Sequence, residues 1–397
     1  MKKILTLIAA AAVSASLAGA NRLNAAQYDT LFDGGTSLKL SDSRVSVPEA
    51  GAPAAAGQDG AARISGPVQG YTPAQEKRMA DHNAGLLNSS LKSLELPAAG
   101  PYRPYADYEA PGYLIMSSDY FFNSRQAKLE MARNLPVDAV LVIFAENPSA
   151  GLKEQILADY GSVVDRARIK IISLPMAIQG FWARDGVPVP VLDKNNKLTV
   201  VDAVYGHGFE PDAEISRIFK TGLEKHQYYY EGGNFQANKL GDCMMVNHGE
   251  HVKIPDSIFS TLYGCRQLIR LPYVDGIGHV DERARFVNDK TIVTDTPAYK
   301  DILEAKGFTV KLLPKPAKYY ETYVNSLILN DHVVMPVFGE PTDAQALAVY
   351  ESLGLKASGG QSSSLSNDGE GSVHCITMIY PKVPAAELMK ALGATEL

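Results

Sequence analysis

The stretch RFVNDKTIVTDTPAYKDILEAKGFTVKLLP, residues 285–314, reads as two short strands, a helix and a third strand. Asn288-Asp289 supplies hairpin turn residues, AYKDILEAKG carries apolar residues at helical spacing, and FTVKLLP returns to extended character. The same order resumes in SLILNDHVVMPVF, a hairpin turning at Asn330-Asp331, and in the helix TDAQALAVYESLG. Upstream, YLIMSSDYFF and AVLVIFAE read as strands with the amphipathic helix RQAKLEMARNL between them, and the strand ARIKIISLP follows a helix near LKEQILADYG. This strand–strand–helix–strand rhythm predicts an α/β protein with hairpins. It argues against a purely parallel, doubly wound sheet.

Outward from this region the texture changes. Residues 45–73 (VSVPEAGAPAAAGQDGAARISGPVQGYTP) have the Ala, Gly, Pro and Ser content of a linker. Thr72, Pro73 and Gln75 form the start signal of a helix reaching about Leu94, and a second break follows at 97–112. At the beginning, Lys2 and Lys3, the apolar run Ile4–Val13 and Ala18-Gly19-Ala20 have the three parts of a cleaved secretory signal. The expectation is therefore a signal peptide over 1–20, a linker-rich extension with one helix over 21–100, and a catalytic domain over 101–397. A periplasmic or secreted location follows, with no stable membrane span after cleavage; an uncleaved anchor is the alternative. In such a compartment Cys243 and Cys265 are candidates for a disulfide, which leaves Cys375 as an odd thiol.

Composition narrows the function. The 397 residues are 46% hydrophobic and carry a net charge of −6, which fits neither a disordered chain nor a nucleic-acid partner that needs clustered Lys and Arg. The sequence has no glycine-rich phosphate loop, HExxH or CxxC, so neither cofactor nor metal is expected. Four segments instead set polar groups in apolar or glycine-rich surroundings: GFWARDGVPVPV with Trp182, Arg184 and Asp185; YYYEGGNF with Glu231; GIGHVDERARFV with His279 and Asp281; and GEGSVHCITMIY with Cys375. Each alone admits a bland reading as a turn cap, a structural ion pair or a small buried thiol.

Together they offer one thiol, one imidazole and three carboxylates, the inventory for attack on a flat cation. A guanidinium arrives charged and poorly electrophilic, so burying it needs carboxylates that pair with its fork of N–H donors. Asp185 and Asp281 could hold it and Cys375 could attack as thiolate, its pKa lowered by the substrate's own charge. His279, oriented by Glu231, could protonate the leaving ammonia and then deprotonate water. His374 is set aside as the base, since neighbours in a strand face opposite ways. His279 and Asp281, two apart, share a face in extended chain, with a turn expected after Asp281.

In order, WARDGVP, EGGNF, GHVDERARFV, YVNSLIL and GEGSVHCIT resemble the agmatine deiminase and bacterial peptidylarginine deiminase family over roughly residues 100–385. The resemblance implies a pentein α/β-propeller of five ββαβ units with pseudo-fivefold symmetry and a central site. It implies Cys375 as nucleophile, His279 as acid/base, Asp185 and Asp281 as guanidinium ligands and Glu231 as supporting acid, with Trp182 walling the substrate pocket and Asn325 in a further family position. The implied substrate is a small-molecule or peptide guanidine, either agmatine-like or arginine in peptides. VYGHGFE, with Tyr205 and His207, stands where peptidylarginine-type members tend to carry arginines. Rival readings are amidino transfer through the same adduct, a metal-dependent hydrolase using His207, His279 and Asp281, and a non-catalytic pentein.

Overall fold

One local pattern recurs: a strand turns back antiparallel on a second, and a crossover helix returns a third strand parallel to the second, four times in sequence and a fifth time with the first strand supplied by residues 378–380. The computed structural model describes residues 66–88 and 101–383. The expected signal peptide and most of the linker-rich extension lie outside the described residues.

The described chain opens with helix α1 (Pro73–Asn88) and strand β1 (Tyr102–Pro104). Next come β2 (Tyr113–Ser117), α2 (Arg125–Arg133), β3 (Val140–Ala145), α3 (Ala150–Tyr160) and β4 (Ile169–Ser173), then the single turn α4 (Ala183–Gly186). The second unit is β5 (Val189–Asp193), β6 (Leu198–Val204), α5 (Asp212–Phe219) and β7 (Gly222–Tyr229). The third is β8 (Gln236–Ala237), β9 (Asp242–Asn247), α6 (Asp256–Thr261) and β10 (Gln267–Pro272). The fourth is β11 (Ala284–Phe286), β12 (Thr291–Thr294), α7 (Pro297–Glu304) and β13 (Thr309–Leu312). The fifth is β14 (Leu327–Leu329), β15 (His332–Val337), α8 (Pro341–Ser352) and β16 (Lys356–Gln361), followed by α9 (Ser363–Gly369) and β17 (Met378–Tyr380).

The five sheets are β1-β5-β6-β7, β8-β9-β10, β11-β12-β13, β14-β15-β16 and β17-β2-β3-β4. Closure comes from the last strand: β17 pairs antiparallel with β2, Met378 opposite Ile115. These are the five ββαβ units of the pentein propeller.

Local sequence explains the pieces. The run Val140–Ala145 is apolar throughout because β3, parallel to both its neighbours, is covered on both faces. In the β11–β12 turn Asn288 Oδ1 accepts from the amides of Lys290 and Thr291, and in the β14–β15 turn Asn330 takes φ 62°, a value asparagine tolerates. Helix α8 starts on a capping box of Glu340 and Asp343 with a proline in its first turn.

Two local expectations need correction. The strand expected over YLIMSSDYFF ends at Ser117: the Lys128 ammonium takes the carbonyls of Ser117 and Asp119, and Phe121–Asn123 form a 3-10 turn. Helix α1 is described over Pro73–Asn88, and the rest of its expected reach to about Leu94 lies outside the described residues. His279 is extended but Asp281 is not, because Val280–Glu282 already form a 3-10 turn. Cys243 and Cys265 are joined as a disulfide, and Cys375 is free and buried.

Candidate active site

Loops at the ends of several units meet around Cys375. The turn before β17 brings it there, with the Thr377 amide donating to the His374 carbonyl and the Arg184 amide of α4 to the Cys375 carbonyl. Asn325, just ahead of β14, fixes the thiol. Its Oδ1 accepts from the amides of His374 (2.9 Å) and Cys375 (3.3 Å), while its Nδ2 stands 3.0 Å from Cys375 Sγ. Cys375 Sγ in turn lies 3.6 Å from Asp281 Oδ2.

His279 sits between two carboxylates. Its Nε2 is 2.9 Å from Glu231 Oε2, and its Nδ1 is 3.6 Å from Asp185 Oδ1. Asp185 Oδ1 accepts from the Gly233 amide at 2.9 Å, which ties α4 to the EGGN turn. Over Gly233 the groups converge: a carbon at the missing Cβ would lie 2.6 Å from Asp185 Oδ1, 2.7 Å from His279 Nδ1 and 3.4 Å from Asp281 Oδ1. Of these three, His279 Nδ1 and Asp281 Oδ1 have no hydrogen-bond partner among the described residues. Glycine here keeps open a small space walled by two acids and an imidazole. Buried polar atoms left bare in this way mark where a partner rich in N–H donors would fit.

The electrostatics agree with that reading. Burial pushes Asp185 up to about 7, with Glu231 and Asp281 adding and His279 opposing. Burial works against charge on His279, yet Asp185 and then Glu231 carry it up to about 10. Asp281 resists burial and stays below the usual carboxylate range through its hydrogen bond to His374. Burial, then Asp281 and Asp185, raise the Cys375 thiol well above its ordinary value. A cation entering this acidic pocket would reverse that last shift.

The site thus brings together Cys375, His279, Asp185, Asp281, Glu231 and Asn325. Asn325 meets the thiol itself. Trp182 is fully buried, stacked on Phe122 with its indole N–H donated to the Pro67 carbonyl at 2.6 Å. His207 turns to the chain ahead of α1, with Nε2 3.1 Å from the Gln69 carbonyl oxygen.

Several participants escaped the sequence reading. Asp107 anchors a buried network with Arg184 (3.2 Å), Arg285 (3.3 Å) and His374 (2.7 Å). His374 passes this on to Asp281 at 2.6 Å. Gln69 Nε2 donates to Asp185 Oδ2 at 2.5 Å, and Tyr71 O–H to Glu231 Oε1 at 2.6 Å. An acid among tyrosines, the signal that marks Glu231, also marks Asp107 in YADYE.

Glu231, Glu250 and His251 bring possible metal-ligand atoms within 4.8 Å of one another. The Asn234 amide donates to His251 Nδ1 at 2.7 Å, its own orientation fixed by Oδ1 accepting from the amides of Val246 and Val280. The neutral ring therefore carries its proton on Nε2, the atom facing the carboxylates, which makes it a donor and not a ligand.

Comparison with known proteins follows the same line. The structure resembles a C. jejuni agmatine deiminase with 19% identity and a TM-score of 0.60, over 71% of this chain and 96% of that one. It also resembles an agmatine deiminase of Enterococcus faecalis with 17% identity and a TM-score of 0.57, over 73% of this chain and 98% of that one. At such identities the likeness concerns the fold. The family model of the Porphyromonas-type peptidyl-arginine deiminases matches residues 118–381, well over half of the chain. The chain belongs to that family, whose members are hydrolases of C–N bonds in linear amidines.

Proposed function

We propose that the protein hydrolyses a guanidino group to a ureido group and ammonia through a covalent adduct on Cys375. The observation that carries this reading is the convergence of Asp185, His279 and Asp281 over Gly233, beside a thiol held by Asn325 and Asp281. The two aspartates pair with the N–H fork, and the substrate cation draws Cys375 to its thiolate, the thiol proton being released to solvent. The thiolate adds to the central carbon. The His279 imidazolium gives its proton to the departing nitrogen, ammonia leaves, and a thiouronium remains. Neutral His279 then takes a proton from water, whose oxygen displaces the sulfur and yields the ureido product.

The neighbouring cavity supports a substrate class. It is about 160 Å³ and is lined by Glu76, Glu231, Glu250 and Glu370 with His248, His251 and His279. No lysine or arginine is among the described residues lining it. Such a surface favours a guanidine whose far end is also a cation, agmatine being the simplest, over free arginine with its carboxylate. Ureido product from agmatine, free arginine and an arginine peptide, measured side by side, tests the order. Agmatine should lead and Cys375→Ala should abolish turnover; near-normal turnover in that variant refutes the thiol route. Preference for free arginine refutes the substrate assignment alone.

A further inference from the structure

Residues 66–72 (GPVQGYT) look like linker, yet they lie against the site, with Gln69 buried in it. The Pro67 carbonyl accepts from the Trp182 indole, the Gln69 amide donates to the Gly369 carbonyl at 3.0 Å, and the Gln69 carbonyl faces His207. The Gln69 side chain is 1% exposed and reaches Asp185. Tyr71 stacks on His207 with ring centroids 4.5 Å apart and reaches Glu231. Beyond it α1 is clipped to the propeller by Asn83, which donates to the carbonyls of Tyr229 and Glu250 and accepts from the Tyr229 amide.

The chemistry of Gln69 is telling. A primary carboxamide has the flat C(=O)NH₂ end of a ureido group, and its nitrogen donates to the carboxylate assigned to the guanidinium. Its oxygen, Oε1, is buried with no partner among the described residues. That mismatch is what an acceptor-rich cradle imposes on a group that is part acceptor, since a guanidinium has donors only. We propose that residues 66–72 are a built-in inhibitor: Gln69 caps Asp185, one of the two carboxylates of the guanidinium cradle, as a mimic of product, and the strap leaves before substrate enters. This rests on the reading of Asp185 and Cys375 given above. Tethered at α1, the strap competes at the high effective concentration of a short linker.

The test uses the full-length chain. Gln69→Ala and Tyr71→Phe are compared with the unaltered protein for kcat/KM on agmatine and for the rate of Cys375 alkylation by iodoacetamide. Folding is checked by thermal unfolding. Both rates should rise in Gln69→Ala by about tenfold or more, the reciprocal of the open fraction. Tyr71→Phe should move both in the same direction by less, and it carries the test should Gln69→Ala fail to fold. Unchanged or lower rates overturn the strap. Absence of ureido product in every variant, with alkylation still accelerated, would instead remove the deiminase reading and leave the strap standing.

Discussion

Replacing Gly233 by alanine adds one methyl at the point where the site converges. Ordinary carbon contacts begin at 3.4 Å, so with 2.6 Å to Asp185 Oδ1 and 2.7 Å to His279 Nδ1 each must retreat by roughly 0.7–0.8 Å. The retreat cannot be shared with the backbone, because the Gly233 amide itself holds Asp185 and Glu231 holds His279 from behind. Gly233 is not among the residues with positive φ, so the backbone accepts alanine. A misplacement near 1 Å costs on the order of 10²-fold in rate, equivalent to about 2.7 kcal/mol of barrier. Overpacking costs about 1–3 kcal/mol of stability, a shift of several degrees in a melt at most. The assay is ureido product formation under steady-state conditions, paired with thermal unfolding. A folded Gly233→Ala enzyme within about threefold of the unaltered kcat/KM would refute the placement of the reaction over Gly233.

Other outcomes follow from the same geometry. Asn325→Ala removes the donor 3.0 Å from Sγ and should lower kcat by about 10–10²-fold, with Asn325→Asp worse because it sets an anion beside the sulfur. Asp107→Ala strands the buried guanidiniums of Arg184 and Arg285 and should cost about 3–5 kcal/mol in chemical denaturation; a loss under about 1 kcal/mol would contradict the network. Because the Asp185 carboxylate is raised to about 7 and must be ionised to hold the cation, kcat/KM should fall roughly tenfold per pH unit below about 7. A flat profile from about pH 5.5 to 8 would remove Asp185 from that role.

The cluster of a thiol, an imidazole and three acids is legible because each is a polar residue set against glycine or aromatic sequence, where an unpaired group would be costly. The repeated unit was legible because Asn288 and Asn330 announce their turns. What stayed hidden followed from contacts that no short pattern encodes. Asp107 lies in a proline- and alanine-rich break, and its importance comes from two guanidiniums and an imidazole 77 or more residues away. His374 was set aside by a strand rule, but the chain turns there, so both it and Cys375 reach the same oxygen of Asp281. Gln69 and Tyr71 read as linker because their contacts are to residues distant in sequence and leave no apolar rhythm.

Pairing of β17 with β2 joins residues 378–380 to residues 113–115, and Cys375 sits only three positions before the closing strand. During synthesis the hydrophobic edge of β2 waits for this partner until residues 378–380 have also been made. A contact so distant in sequence forms late and slowly. Cys375 therefore takes its place only once β17 can dock, and a chain cut short before β17 carries an unguarded β2 edge and lacks that thiol.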